Sequence, residues 1–80
     1  MKINKPSSDR CNISGTAIKN KRKELGLSQE ALAAQIQLLG LPLSQKAISR
    51  IESGSRVVAD YELILFSEVL HVSLDELLYR

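Results

Sequence analysis

One short segment concentrates the side chains best suited to meet an anionic, hydrogen-bonding surface. It reads S-Q-K-A-I-S-R-I-E-S-G and runs from Ser44 to Gly54. At about 100° per residue, its polar and cationic side chains share one helical arc of about 140° that contains no carboxylate; they are Gln45, Lys46, Ser49, Arg50 and Ser53. The apolar residues of the segment fall on the opposite side. The segment therefore predicts a half-buried helix with an outward polar face.

The residue types on this face suit the edges of DNA bases. A glutamine amide offers a donor and an acceptor together, which match N7 and N6 of adenine, and arginine or lysine matches O6 and N7 of guanine. A face without carboxylates also avoids repelling phosphate groups. The alternative is an ordinary solvated helix face, which needs no partner. The motifs that flank the segment favour contact with DNA.

Length, composition and charge limit the class of protein. The chain has 80 residues, of which 44% are hydrophobic, 25% charged and 4% aromatic. These values suit one globular domain with a small, mostly aliphatic core. Seven of the eleven lysines and arginines lie in residues 1–23, whereas residues 57–80 carry five carboxylates and one arginine. A basic end suits a polyanion, and the alternative is a solvated charged surface.

Several other classes are disfavoured. The single cysteine, Cys11, cannot form an internal disulfide, and no signal peptide is recognisable, so a cytoplasmic protein is expected. The longest apolar run has four residues, far below the ~20 that span a membrane, and no membrane association is expected. The sequence lacks nucleotide-binding, metalloprotease and hydrolase motifs, and His71 with the distant Cys11 makes no metal site. We therefore expect no enzyme activity, cofactor or metal.

Caps and periodicity predict an all-α fold of five short helices joined by short loops. No segment alternates convincingly with period two, so no sheet is expected. Residues 1–12 lack an amphipathic period and predict a flexible N-terminal arm, followed by one domain at 13–80. Each of the first three helices has a predicted cap and a glycine that ends it: Thr16 with Gly26, Ser28 with Gly40, and Ser44 with Gly54. The predicted caps of the last two helices are Asp60 and Ser73.

Three motifs in order resemble one known family. R-K-E-L-G-L-S-Q-E-A-L-A, then A-I-S-R-I-E-S-G, then L-H-V-S-L-D-E-L-L look like the lambda-repressor-like (Xre/Cro-type) helix-turn-helix family over about residues 16–78. The resemblance implies a compact five-helix domain that binds double-stranded operator DNA and regulates transcription. It also implies a homodimer on an inverted repeat, with helix 44–53 in the major groove, and a repressor is the expected regulator.

By position, the resemblance also implies individual contacts. Gln29 resembles a residue that holds a phosphate and supports the base contacts, and Arg56 matches a phosphate-contacting loop position. Arg22 and Glu52 match a pair that forms an internal salt bridge, so Arg22 is assigned first to structure. The DNA-binding set that follows is Gln29, Ser44, Gln45, Lys46, Ser49, Arg50 and Arg56.

One segment departs from the family pattern. Residues 37–43, Q-L-L-G-L-P-L, make the turn before helix 44–53 about five residues longer than the tight turn of the motif. We expect Gln37, Leu38 and Leu39 to extend the second helix by about one turn. We expect Leu41 and Leu43 to form a local apolar cap. The alternative is that these leucines face a protein partner. The alternative function is accordingly a protein-interaction module, such as an antitoxin or an anti-repressor.

Overall fold

Five α-helices make up most of residues 10–79, the part of the chain that the computed structural model describes. The prediction of an all-α fold is confirmed, and no strand occurs in these residues. Within residues 10–79, none of the helices is both long and apolar enough to pass through a bilayer. The helices are α1 (Gly15–Glu24), α2 (Gln29–Leu38), α3 (Gln45–Ser53), α4 (Asp60–Leu70) and α5 (Leu74–Leu78).

Serine caps begin three of these helices where the sequence predicts them. Their hydroxyl oxygens accept the backbone N–H three residues later, at 3.0, 3.1 and 3.2 Å for Ser28, Ser44 and Ser73. Each bond satisfies one of the backbone donors that a helix leaves unpaired in its first turn. The starts of α2, α3 and α5 are therefore fixed by local sequence.

The predicted caps of α1 and α4 are wrong. Helix α1 begins at Gly15, so that Thr16 lies inside its first turn. Helix α4 begins at Asp60 itself, with Ala59 in the cap position. The reason is that the Glu62 carboxylate reaches back and accepts the Ala59 backbone N–H at 3.0 Å, which serves the helix start without a side chain at the cap.

The core lies among the five helices, and one face of α3 is left in solvent. Helix α3 packs on α1 and α2, while α5 closes against α1 and α4. On α3, Ile48 and Ile51 are fully buried. Phe66 is the aromatic member of an otherwise aliphatic cluster, whose remaining residues are Ala17, Ile18, Leu32, Ala33, Ile36, Leu43, Leu70 and Leu77.

The long turn between α2 and α3 is folded onto this core. The predicted extension of α2 is confirmed for Gln37 and Leu38, and Leu39 is the cap residue that follows the helix. The chain then turns at Gly40, whose φ of 96° lies in the region that favours glycine. Leu43 is 4% exposed and Leu41 packs beside it, so the predicted apolar cap is confirmed. Gln37 fastens the turn, because its amide nitrogen donates to the Leu43 carbonyl at 2.8 Å.

Two leucines of this region give a matched test of the packing. We expect Leu43→Ala to lower the free energy of unfolding by about 2–5 kcal/mol, because it opens a cavity in the core. Leu38→Ala removes the same atoms from a side chain that is 86% exposed. It should change the free energy of unfolding by less than about 0.5 kcal/mol. Urea denaturation measures both, and equal losses would contradict the buried position of Leu43.

Candidate nucleic-acid interface

The outward face of α3 presents polar and cationic side chains to solvent. Gln45, Lys46 and Arg50 are exposed, and Ser49 is half-buried beside them. The hydroxyl of Ser44 already serves as the cap of α3. The Lys46 and Arg50 side chains form no hydrogen bond or ion pair with any other residue in the described part of the chain. These two cations are therefore available to an anionic partner.

A buried ion pair joins α1 to the last turn of α3. Arg22 donates to the Glu52 carboxylate twice, from Nε to Oε2 at 2.7 Å and from Nη2 to Oε1 at 2.9 Å. Its Nη1 donates to the Leu27 carbonyl at 2.8 Å. Both partners are less than a tenth exposed, and the hydrogen bond to Glu52 raises the pKa of Arg22 above its ordinary value. The Arg22 guanidinium therefore stabilises the fold from inside the domain.

Two glutamines extend this pair to the surface, and we call Glu52, Gln29 and Gln45 the amide relay. Gln29 Nε2 donates to Glu52 Oε1 at 3.0 Å. Gln45 Nε2 in turn donates to Gln29 Oε1 at 2.6 Å. The relay therefore holds the first residue of α2 against the first residue of α3.

The relay also fixes which atoms of Gln45 face outward. The Glu52 carboxylate, paired with a guanidinium, only accepts hydrogen bonds, so Gln29 must turn its amino group toward it. The carbonyl oxygen of Gln29 then faces Gln45 and accepts a hydrogen bond from the amino group of that side chain. The Oε1 atom and one N–H of Gln45 remain for a partner outside the molecule.

A comparison with known families identifies this arrangement. The profile of the helix-turn-helix family matches residues 18–77, three quarters of the chain. The chain belongs to the helix-turn-helix family of the lambda-repressor (Xre) type. The family prediction is confirmed, and it places the chain among DNA-binding regulators. No curated protein matches the chain.

In this helix-turn-helix protein, Arg56 lies just after α3 but has an internal partner. It donates to both oxygens of Glu62, at 2.9 and 3.1 Å, and to the Val57 carbonyl at 3.0 Å. Glu62 is 4% exposed, and the hydrogen bond from Arg56 holds the pKa of its carboxyl below the ordinary value. Among the residues that the structure describes, these contacts leave the Nε–H and one N–H of Nη2 of Arg56 for a phosphate. The structure thus ties Arg56 to α4 more firmly than its loop position suggests.

Two features of the site were missed by the sequence interpretation. From the sequence, Glu62 was given no role, although its place three residues after Ala59 signals a side chain that reaches back to the helix start. Asn12 was assigned to the flexible arm. Residues 1–9 of that arm lie outside the described residues, whereas residues 10–12 contact the end of α3 through hydrogen bonds.

Removal of the carboxylate at the centre of the relay should cost stability. We expect Glu52→Ala to lower the free energy of unfolding by about 3–5 kcal/mol, because it leaves the Arg22 guanidinium buried without its partner. Glu68→Ala, from an exposed position on α4, should change it by less than about 0.5 kcal/mol. Urea denaturation of both variants at pH 7 is the measurement. If the two variants unfold at the same urea concentration, the ion pair does not support the fold.

Proposed function

We propose that the protein is a sequence-specific repressor of transcription that reads the major groove of an operator with α3. The observation that carries the proposal is the carboxylate-free outer face of α3, whose first residue is held by the amide relay. A helix with this face, placed second in a helix-turn-helix, has the geometry and the donors that base reading requires. We infer that the protein binds DNA without catalysing a reaction, and that it acts in the cytoplasm.

Each exposed side chain of the face has a chemically suited target. Gln45 keeps one acceptor and one donor, which suit the N6 amino group and N7 of adenine. Arg50 and Lys46 suit guanine O6 and N7, or a flanking phosphate, and Ser49 reaches either kind of target. Gln29 stands at the N-terminus of α2, where backbone N–H groups attract a phosphate.

The proposed complex contains two copies of the chain on an inverted repeat. Helix-turn-helix dimers place their reading helices in successive major grooves, about 34–36 Å apart. Each copy of this domain measures 33 × 23 × 22 Å. Two such domains therefore fit on neighbouring half-sites at that spacing without overlap, and the homodimer is the binding species we propose.

The test of the function is selection of bound duplexes from a random DNA pool at two salt concentrations. Enrichment of an inverted repeat is the expected result. Affinity should fall steeply with salt, by roughly one power of the salt concentration per neutralised phosphate. Retention without enrichment would mean phosphate binding without reading. No retention even at low salt would overturn the function.

Arg50 allows a test of direct reading on the selected duplex. We expect Arg50→Ala to weaken specific binding by about 1–3 kcal/mol and to relax the choice of one base pair. Lys23→Ala removes the same charge from an exposed site on α1, and base preference should then stay unchanged. Fluorescence titrations with duplexes substituted at each position measure both. Identical behaviour of the two variants would show that Arg50 does not read a base.

A second candidate function is a protein-interaction module, and a specific observation favours it. A groove of about 320 Å³ opens beside the end of α2, where Leu38 is 86% and Leu39 49% exposed. This groove lies about 14 Å along α2 from Gln29, at 1.5 Å per residue, and so away from the DNA-reading face. Apolar binding there would respond weakly to salt, which separates it from DNA binding. The groove is lined by Gln35, Leu38, Leu39, Glu68, Val69 and His71.

A further inference from the structure

The residues just before α1 are fastened to the C-terminal end of α3. We call Arg10–Asn12 the strap. A single side chain, that of Asn12, makes three hydrogen bonds: its Nδ2 donates to the carbonyls of Ile51 at 3.0 Å and Arg56 at 2.8 Å, and its Oδ1 accepts the Gly15 backbone N–H at 2.8 Å. Asn12 is 8% exposed. One amide thus connects the start of α1, the last turn of α3 and the loop that follows it.

The strap supplies partners for carbonyls that a helix end leaves unpaired. The Cys11 backbone N–H donates to the Gly54 carbonyl at 2.6 Å, and Arg10 Nη1 donates to the Ser53 carbonyl at 3.3 Å. Helix α3 also closes on itself, because Gly54 N–H donates to Ile51 O at 3.1 Å in a left-handed turn. The end of α3 is therefore held both by its own turn and by the strap.

A glycine permits this contact. Helix α1 approaches α3 so closely at Gly15 that a Cβ atom there would overlap the Ile51 carbonyl oxygen and lie 2.7 Å from Asn12 Oδ1. The approach sets the N-terminus of α1 against the C-terminus of α3. The opposite partial charges of these two helix ends attract each other, so the contact between the helices is favourable as well as tight.

We propose that Asn12 is a positioning residue for DNA reading, because it sets the orientation of α3. This inference rests on the proposed function. The amide relay and the Arg22–Glu52 ion pair tie α3 to the start of α2 and to the last turn of α1. Asn12 adds a contact at a different place, because it ties the Ile51 carbonyl and the loop after α3 to the start of α1. A reading helix displaced by about 1 Å loses its base contacts. Because Asn12 lies before the matched region 18–77, the family pattern does not supply this contact.

Among the three residues of the strap, Asn12 is the one to test. Arg10 makes a long contact of 3.3 Å, and its Nη2 has no hydrogen-bond partner among the described residues. Cys11 is exposed and contributes only its backbone N–H. The Asn12 side chain alone carries two donors to the α3 side and one acceptor to α1. A substitution of Asn12 can therefore remove the contacts with the α3 side and keep the contact with α1.

Asn12→Asp is the substitution that removes one set of contacts and keeps the other. The carboxylate keeps an acceptor for the Gly15 N–H but loses both donors to the Ile51 and Arg56 carbonyls. We expect the ratio of affinities for the selected and a scrambled duplex to fall by about tenfold or more, comparable to a mismatched base pair. Asn20→Asp, an exposed residue of α1 with the same change of charge, should keep the ratio. Titrations at one salt concentration, with circular dichroism confirming the fold, measure this.

The outcomes separate the inference from the function. A folded Asn12→Asp that keeps the ratio while the parent is selective overturns the positioning role and leaves the proposed function intact. A parent that binds both duplexes equally overturns the function, and the inference with it. If Asn12→Asp does not fold, the same ratio of affinities is measured for Asn12→Ser, with Asn20→Ser as its control. The serine keeps a short acceptor without charge, and it must also lower the ratio for the inference to stand.

Discussion

The buried ion pair between Arg22 and Glu52 is the interaction on which the rest of the interface depends. Two charges are taken out of water here, and their mutual hydrogen bonds must offset the cost of desolvation. The pair joins α1 to α3, and its carboxylate is the acceptor at which the amide relay starts. A structural contact inside the domain thereby determines which atoms reach the surface at Gln45.

Helix α3 is held at both ends by hydrogen bonds of different origin. At its N-terminus, Gln45 contacts Gln29 on α2, within the region common to the family. At its C-terminus, Asn12 contacts the carbonyl of Ile51 from outside that region. Between these ends the apolar side packs on the core, so the polar face has a single orientation relative to α1 and α2. Rigid support of this kind is what precise recognition by a helix requires.

The sequence predicted what depends on neighbours along the chain. Serine caps, glycine stops and the spacing of apolar residues are local signals, and they located α2, α3 and α5. It did not predict the partners of Asn12, which lie 39 and 44 residues away, because no local pattern marks such a pair. The sequence also did not predict the ion pair between Arg56 and Glu62, because it placed the start of α4 at an Asp60 cap and gave Glu62 no contact of its own.

The direction of the amide relay restricts which residues at position 45 are compatible with the reading of bases that we propose for α3. Because Gln29 presents its carbonyl oxygen, any residue at position 45 must offer a donor inward. An acidic residue there, which would accept from cytosine, meets an oxygen instead of a hydrogen. A switch of preference toward cytosine therefore requires a coupled change at position 29 or 52.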